Sequence, residues 1–218
     1  MRNSLPYQPI LLRLIHAASA LLAISAIASG FWVYNTYDRR LGSLPLPKLG
    51  DIQGIHGTIA LSFLLVLPLI VLYSFYIGYR RLPQDLSQFH QIGKPLWWIA
   101  LHRLANLTML LAATFAVVTG RMMKEEWLPA GELGKPWYLA HLAVWVVMLI
   151  SLALHLLLGA KVGGAPLLLS MLNWKTQRTD RPNAWLQGLK INHSAALRAA
   201  EIFIISGIAI AFLAPLFG

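Results

Sequence analysis

Apolar residues along this chain gather into five long runs that contain no charged side chain: Leu14 to Tyr37, Ile52 to Tyr79, Leu104 to Gly120, Trp137 to Ala160 and Ile202 to Gly218. An α-helix rises about 1.5 Å per residue, so roughly 20 apolar residues cross the hydrocarbon core of a bilayer. The runs predict five transmembrane helices over about 10–34, 54–79, 97–120, 137–160 and 196–217. The third takes in Arg103 within its first two turns, and the fifth is short. No internal repeat and no low-complexity stretch interrupts the pattern. The first run ends near Ala26-Ile27-Ala28, which imitates a signal-peptidase site, but it continues through Phe31-Trp32-Val33-Tyr34. That is longer than a signal core, so the segment is expected to be retained as the first span.

Composition agrees with the pattern. Of 218 residues, 57% are hydrophobic and 12% charged, against about 45–50% and 25% in a soluble domain. A chain of this size has no water-soluble core large enough to hide such an excess. The composition excludes an ordinary soluble domain and a disordered chain, and makes the lipid bilayer the first partner.

Charge then sets an expected orientation. The formal net charge is +10, from 18 Lys and Arg against 8 Asp and Glu. The N-terminus, the 80–96 loop, the 161–195 loop and the neighbouring helix ends carry Arg2, Arg13, Arg80, Arg81, Lys94, Arg103, Lys161, Lys175, Arg178, Arg181, Lys190 and Arg198. The opposite side carries only Arg39, Arg40, Lys48, Arg121, Lys124 and Lys135, nearly balanced by five acids. The positive-inside rule puts the N-terminus in the cytoplasm and the C-terminus outside. The basic residues are dispersed among membrane-flanking loops and form no single recognition surface, so no nucleic-acid partner is expected.

The candidate chemistry lies in the histidines. There is no cysteine, which excludes thiolate-held clusters and Cys-ligated zinc. Polar groups are costly at membrane depth, so intramembrane histidines are functional candidates. His16 lies near the cytoplasmic end of the first helix, and His155 near the same face in the fourth. His56 and His141 both lie near the outer face. On the fourth helix, fourteen residues at about 100° each fall about 40° short of four turns, so His141 and His155 share a face roughly 21 Å apart. Two depth-matched pairs point to two stacked b-type haems, each bound through iron by two imidazoles. Interhelical hydrogen bonding or a proton path is the plainer reading of any one of these histidines. Structural zinc fits poorly, since it wants four ligands at one depth.

Other residues fit such pockets. Arg13 is three residues before His16, so both occupy one helix face; it is a candidate for pairing with haem propionates, or for snorkelling to the interface. Arg103 has the same two readings. His102 is a candidate for bonding a propionate or a quinone carbonyl at the cytoplasmic level. Gly54 and Gly57 flank His56 and are expected to clear space beside it. His90 and His193 fall in loops, where a solvated surface position is expected. Trp97, Trp98, Trp127 and Trp137 read as interfacial anchors.

Arg13-x-x-His16, Ser29-Gly30, Gly54-Ile55-His56-Gly57, Val118-Thr119-Gly120-Arg121 and above all His141-x13-His155 give the chain its family likeness. Over roughly 10–172 it resembles the bacterial di-haem cytochrome b561 superfamily, which includes the membrane cytochrome b subunits of nickel–iron hydrogenases and formate dehydrogenases. The resemblance implies haem ligation by His16 with His155 and by His56 with His141, and electron exchange between a quinone pool and a redox partner. It implies an integral protein of the bacterial inner membrane or an equivalent energy-transducing membrane. The basic 161–195 segment and the fifth helix go beyond the usual four-helix core.

The expected fold is all-α: a bundle of five transmembrane helices, with a four-helix di-haem core over 1–172, a basic loop over 173–195 and a fifth helix over 196–218. The expected cofactors are two haem b, with quinone a further candidate. Candidate partners beyond lipid are quinone, a redox protein or an iron–sulfur, hydrogenase or dehydrogenase subunit, and a second copy in a homodimer. Whether the chain is a quinone-linked oxidoreductase by itself or an electron-transfer subunit of one stays open. The rival reading is a non-catalytic anchor or assembly subunit, or a small transporter whose histidines handle protons or haem.

Overall fold

The computed structural model describes residues 7–173, 175–177, 180–181, 185, 189 and 193–216. The basic residues Arg2, Arg178 and Lys190, and most of the 173–195 loop, lie outside the described residues. Among those described, all regular structure is helical: α1 Ile10–Tyr37, α2 Ile52–Leu72, α3 Pro95–Arg121, α4 Pro136–Ser170 and α5 Ala195–Leu213. Each of the five is long and apolar enough to cross a membrane. Asp51 caps α2 by accepting from the Gly54 amide, and Ser194 caps α5 by accepting from the Leu197 amide. Proline at the first turn opens α3 and α4, where its missing N–H is harmless.

Two boundaries differ from the pattern-based expectation. α2 passes at Leu72 into one π-helical turn, Tyr73–Ile77. α4 does not stop near residue 160 but runs on to Ser170 through a kink at Gly164, whose φ is 65°. Only glycine takes that backbone region without strain, and Pro166 just beyond it removes a donor from the helix ladder. Hydropathy sees the end of the charge-free run at Lys161 but not a change of direction that a glycine permits.

The helices pair chiefly as two hairpins, α1 with α2 and α3 with α4, and α5 packs on α3 and α2. The main core is built where those last three meet. Leu64, Leu67, Val71 and Phe75 from the second membrane segment pack with Ala112 and Ala113 of α3 and with Ile204 and Ala211 of α5. Contact between α1 and α4 is sparse by comparison. The two hairpins thus close tightly on the α5 side and stand apart on the side where α4 faces α1 and α2. Leu21, Leu65, Leu157 and Ile202 are each more than half exposed, which suits a lipid-facing surface and would be a large apolar patch in water.

A candidate haem-binding cleft

Histidines from opposite hairpins meet across the gap at two levels. His56 of α2 and His141 of α4 have ring centroids 6.1 Å apart, and those of His16 in α1 and His155 in α4 are 6.2 Å apart. Two metal–nitrogen bonds of about 2 Å, plus the half-widths of two five-membered rings, add up to about 6 Å. The spacing at both levels is therefore that of two imidazoles on opposite sides of one metal ion.

Small residues make the His56–His141 level possible. A side-chain carbon on Gly30 would lie 3.2 Å from His56 Cε1, and one on Gly120 would lie 3.3 Å from His141 Cε1. The glycines that admit the imidazoles come from the neighbouring helices α1 and α3. Gly54 and Gly57, expected to clear space beside His56, line the same cavity as His56, but neither stands against its ring. A carbon on Gly54 would run into the Asp51 carboxylate, and Gly57 opens onto empty space. The reason is rotational: the His56 ring points toward α1, and residues next to it in sequence point elsewhere.

A cavity of about 1500 Å³ surrounds this pair, lined by Gly30, Phe31, His56, Gly120, His141 and Trp145 among others. It exceeds the roughly 300–1,000 Å³ of an ordinary small-molecule pocket. Arg121 and Lys124 also line it. Trp145 is anchored across the gap by donating from Nε1 to the Ile27 carbonyl at 3.0 Å. Paired imidazoles at metal-spanning distance, glycines where bulk would clash, and a large mainly apolar space fit a flat macrocycle bound through its metal.

Side chains that the sequence did not single out as site residues touch the far ring nitrogens. Ser29 Oγ lies 2.9 Å from His56 Nδ1, and Thr119 Oγ1 lies 2.9 Å from His141 Nδ1. His155 Nδ1 lies 2.8 Å from Asn106 Oδ1. The available signal was the repeated hydroxyl–glycine pair, Ser29-Gly30 two turns before the end of α1 and Thr119-Gly120 at the end of α3. Each pair serves a histidine on the helix that follows it.

The remaining site candidates sit at the His16–His155 level. The His102 ring centroid is 5.2 Å from that of His155, too close for a metal between them, and its buried Nε2 has no hydrogen-bond partner. Arg13 is buried; its guanidinium donates to the Lys175 carbonyl at 2.8 Å and lies 3.8 Å from Asp180 Oδ2. Arg103 reaches Gln88 Oε1 at 3.4 Å. Arg81, absent from the candidates, lies within electrostatic reach of His16, and its carbonyl accepts from Asn106 Nδ2 at 2.9 Å.

The loop histidines divide. His90 is exposed, as expected. His193 is not: its side chain is only 1% exposed and sits 3.9 Å from Glu201 Oε2, walled by the rings of Phe75, Tyr76 and Tyr79. The π-helical turn and the residues after it bring three aromatic rings against the start of α5, a tertiary contact that no local pattern announces.

The chain matches the family model described as prokaryotic cytochrome b561 over residues 7–174. No curated protein and no solved structure matches the chain.

Proposed function

Since the chain belongs to the prokaryotic cytochrome b561 family, and so is an integral membrane protein of haem-based transmembrane electron transfer, we propose that it holds two b-type haems, one between His56 and His141 and one between His16 and His155. The observation that carries this reading is the matched ring spacing of 6.1 and 6.2 Å at two levels between the hairpins. Held by an imidazole from each side, a haem bound there would supply one-electron transfer rather than oxygen binding.

The chain's own contribution is placement. α4 carries one ligand of each pair on a single face, so the separation of the two sites is set by helix geometry. Gly30 and Gly120 admit the rings, and the apolar cleft keeps water away. Arg121 and Lys124 are the cations available to haem carboxylates at the His56–His141 level; Arg13, Arg81 and Arg103 serve the other. Quinone exchange is assigned to the His16–His155 level, where the unpartnered Nε2 of His102 is available to a carbonyl oxygen and Arg103 adds positive charge. The electron partner is a redox protein that brings its own clusters, because this chain has no cysteine to hold any. The bias of basic residues assigns the N-terminus to the cytoplasm and the C-terminus to the outside of a bacterial inner membrane.

Purified protein should show a b-type band near about 560 nm in reduced-minus-oxidised spectra, an ordinary haem b property, with two haems per chain. His16→Ala, His56→Ala, His141→Ala and His155→Ala should each lower haem content from two to one. Unchanged haem content in any of them overturns the corresponding pair. Co-purification from native membranes identifies the electron partner, and quinone reduction or oxidation by the chain alone distinguishes an enzyme from a subunit.

A further inference from the structure

The hydroxyls beside His56 and His141 have only one proton each, and the structure shows where it goes. Ser29 Oγ lies 2.7 Å from the Ser25 carbonyl and 3.3 Å from that of Ala26. Thr119 Oγ1 lies 2.7 Å from the Phe115 carbonyl and 3.2 Å from that of Ala116. A carbonyl oxygen can only accept, so each hydroxyl donates inward to its own helix. Towards histidine it has only lone pairs left. His56 and His141 must therefore carry their proton on Nδ1 and donate it to Ser29 and Thr119.

The same accounting holds for His155 with different chemistry. Asn106 Nδ2 faces the Arg81 carbonyl at 2.9 Å. The amide nitrogen must be the group that donates there, which turns Oδ1 toward His155 Nδ1 at 2.8 Å. His155 also carries its proton on Nδ1. In all three rings Nε2 keeps its lone pair, the form an imidazole needs to bind a metal.

We propose that Ser29, Thr119 and Asn106 are positioning residues that lock three of the four axial histidines in the Nδ1–H tautomer, and that the two sites are set apart by the kind of acceptor each uses. The His56–His141 site is held by hydroxyls, the His155 side of the other by an amide oxygen. This rests on the bis-histidine reading above. An acceptor on Nδ1–H makes the imidazole a stronger donor to the metal. Greater donation favours the oxidised iron, so removing an acceptor should raise the midpoint potential of its own haem.

The test is a redox titration of the full-length protein, with haem content measured alongside. Ser29→Ala and Thr119→Val should retain two haems and shift the same one of the two potentials upward. Asn106→Ala should shift the other potential. Ser29→Thr and Thr119→Ser keep the hydroxyl and should titrate as wild type. The proposal is overturned by unmoved potentials at full haem content, by Ser29→Ala and Thr119→Val moving different haems, or by the hydroxyl-keeping variants shifting as far as the others. If Ser29→Ala loses haem, Ser29→Thr decides: two haems at wild-type potentials support the hydroxyl, and loss overturns it. Failure of the underlying reading has a separate signature, two haems retained in His56→Ala and His141→Ala.

Discussion

At the scale of single residues, the site depends as much on side chains that are missing as on those that are present. Gly30 and Gly120 stand where a single added carbon would meet an imidazole at 3.2–3.3 Å, tighter than ordinary van der Waals contact. Gly120→Val should push the His141 ring off its axis and remove one haem of two, while His16 and His155 retain theirs. Haem quantification after purification checks this, and two haems in the variant would show that the ring can yield.

At the scale of elements, the hairpins are joined by a polar clasp at the end of the bundle away from His16. Asp38, just past the end of α1, accepts from Arg40 at 2.6 and 2.8 Å and from the Tyr138 hydroxyl of α4 at 2.5 Å. The Arg40 guanidinium beside it holds the Asp38 carboxyl below the usual carboxylate range, and the Tyr138 hydroxyl adds to this. A depressed carboxyl stabilises the fold fully above its unfolded value of about 3.9. That contribution is lost as pH falls through the lower folded value. Thermal unfolding in detergent should therefore weaken below about pH 4, and Asp38→Asn should flatten that part of the profile. Tyr138→Phe should cost about 1.5–3 kcal/mol, the worth of a hydrogen bond to a charged group. An unchanged melting profile in both variants would show that the clasp contributes nothing.

At the scale of the molecule, the bundle has a packed side and an open side. α5 closes the packed side against α2 and α3, where Ile204 is fully buried. The proposed haem sites lie across the other side, between the hairpins. Stability and cofactor content should therefore separate. Ile204→Ala should cost about 2–4 kcal/mol through lost packing, yet leave two haems per chain. Loss of haem at the same denaturant or temperature where wild type keeps it would be explained by unfolding. Loss of one haem in the folded variant would instead mean that α5 supports the cleft directly.

Much of this was legible in the chain itself. The five spans, their order and the depth of each histidine follow from hydropathy and from helix rise, which are local properties. So does the shared face of His141 and His155, because both lie on one regular helix. The partners of those histidines on other helices were legible only as depth matches. Whether two rings come to 6.1–6.2 Å depends on how each helix is rotated about its axis, and that is settled by packing between helices distant in sequence. The same holds for Gly30 and Gly120 in place of Gly54 and Gly57, for the burial of His193 against Phe75, Tyr76 and Tyr79, and for the direction of α4 beyond Gly164. The proton positions on His56, His141 and His155 lie furthest from the sequence. They emerge only once tertiary structure has put a hydroxyl or an amide, already committed to a backbone carbonyl, against each ring.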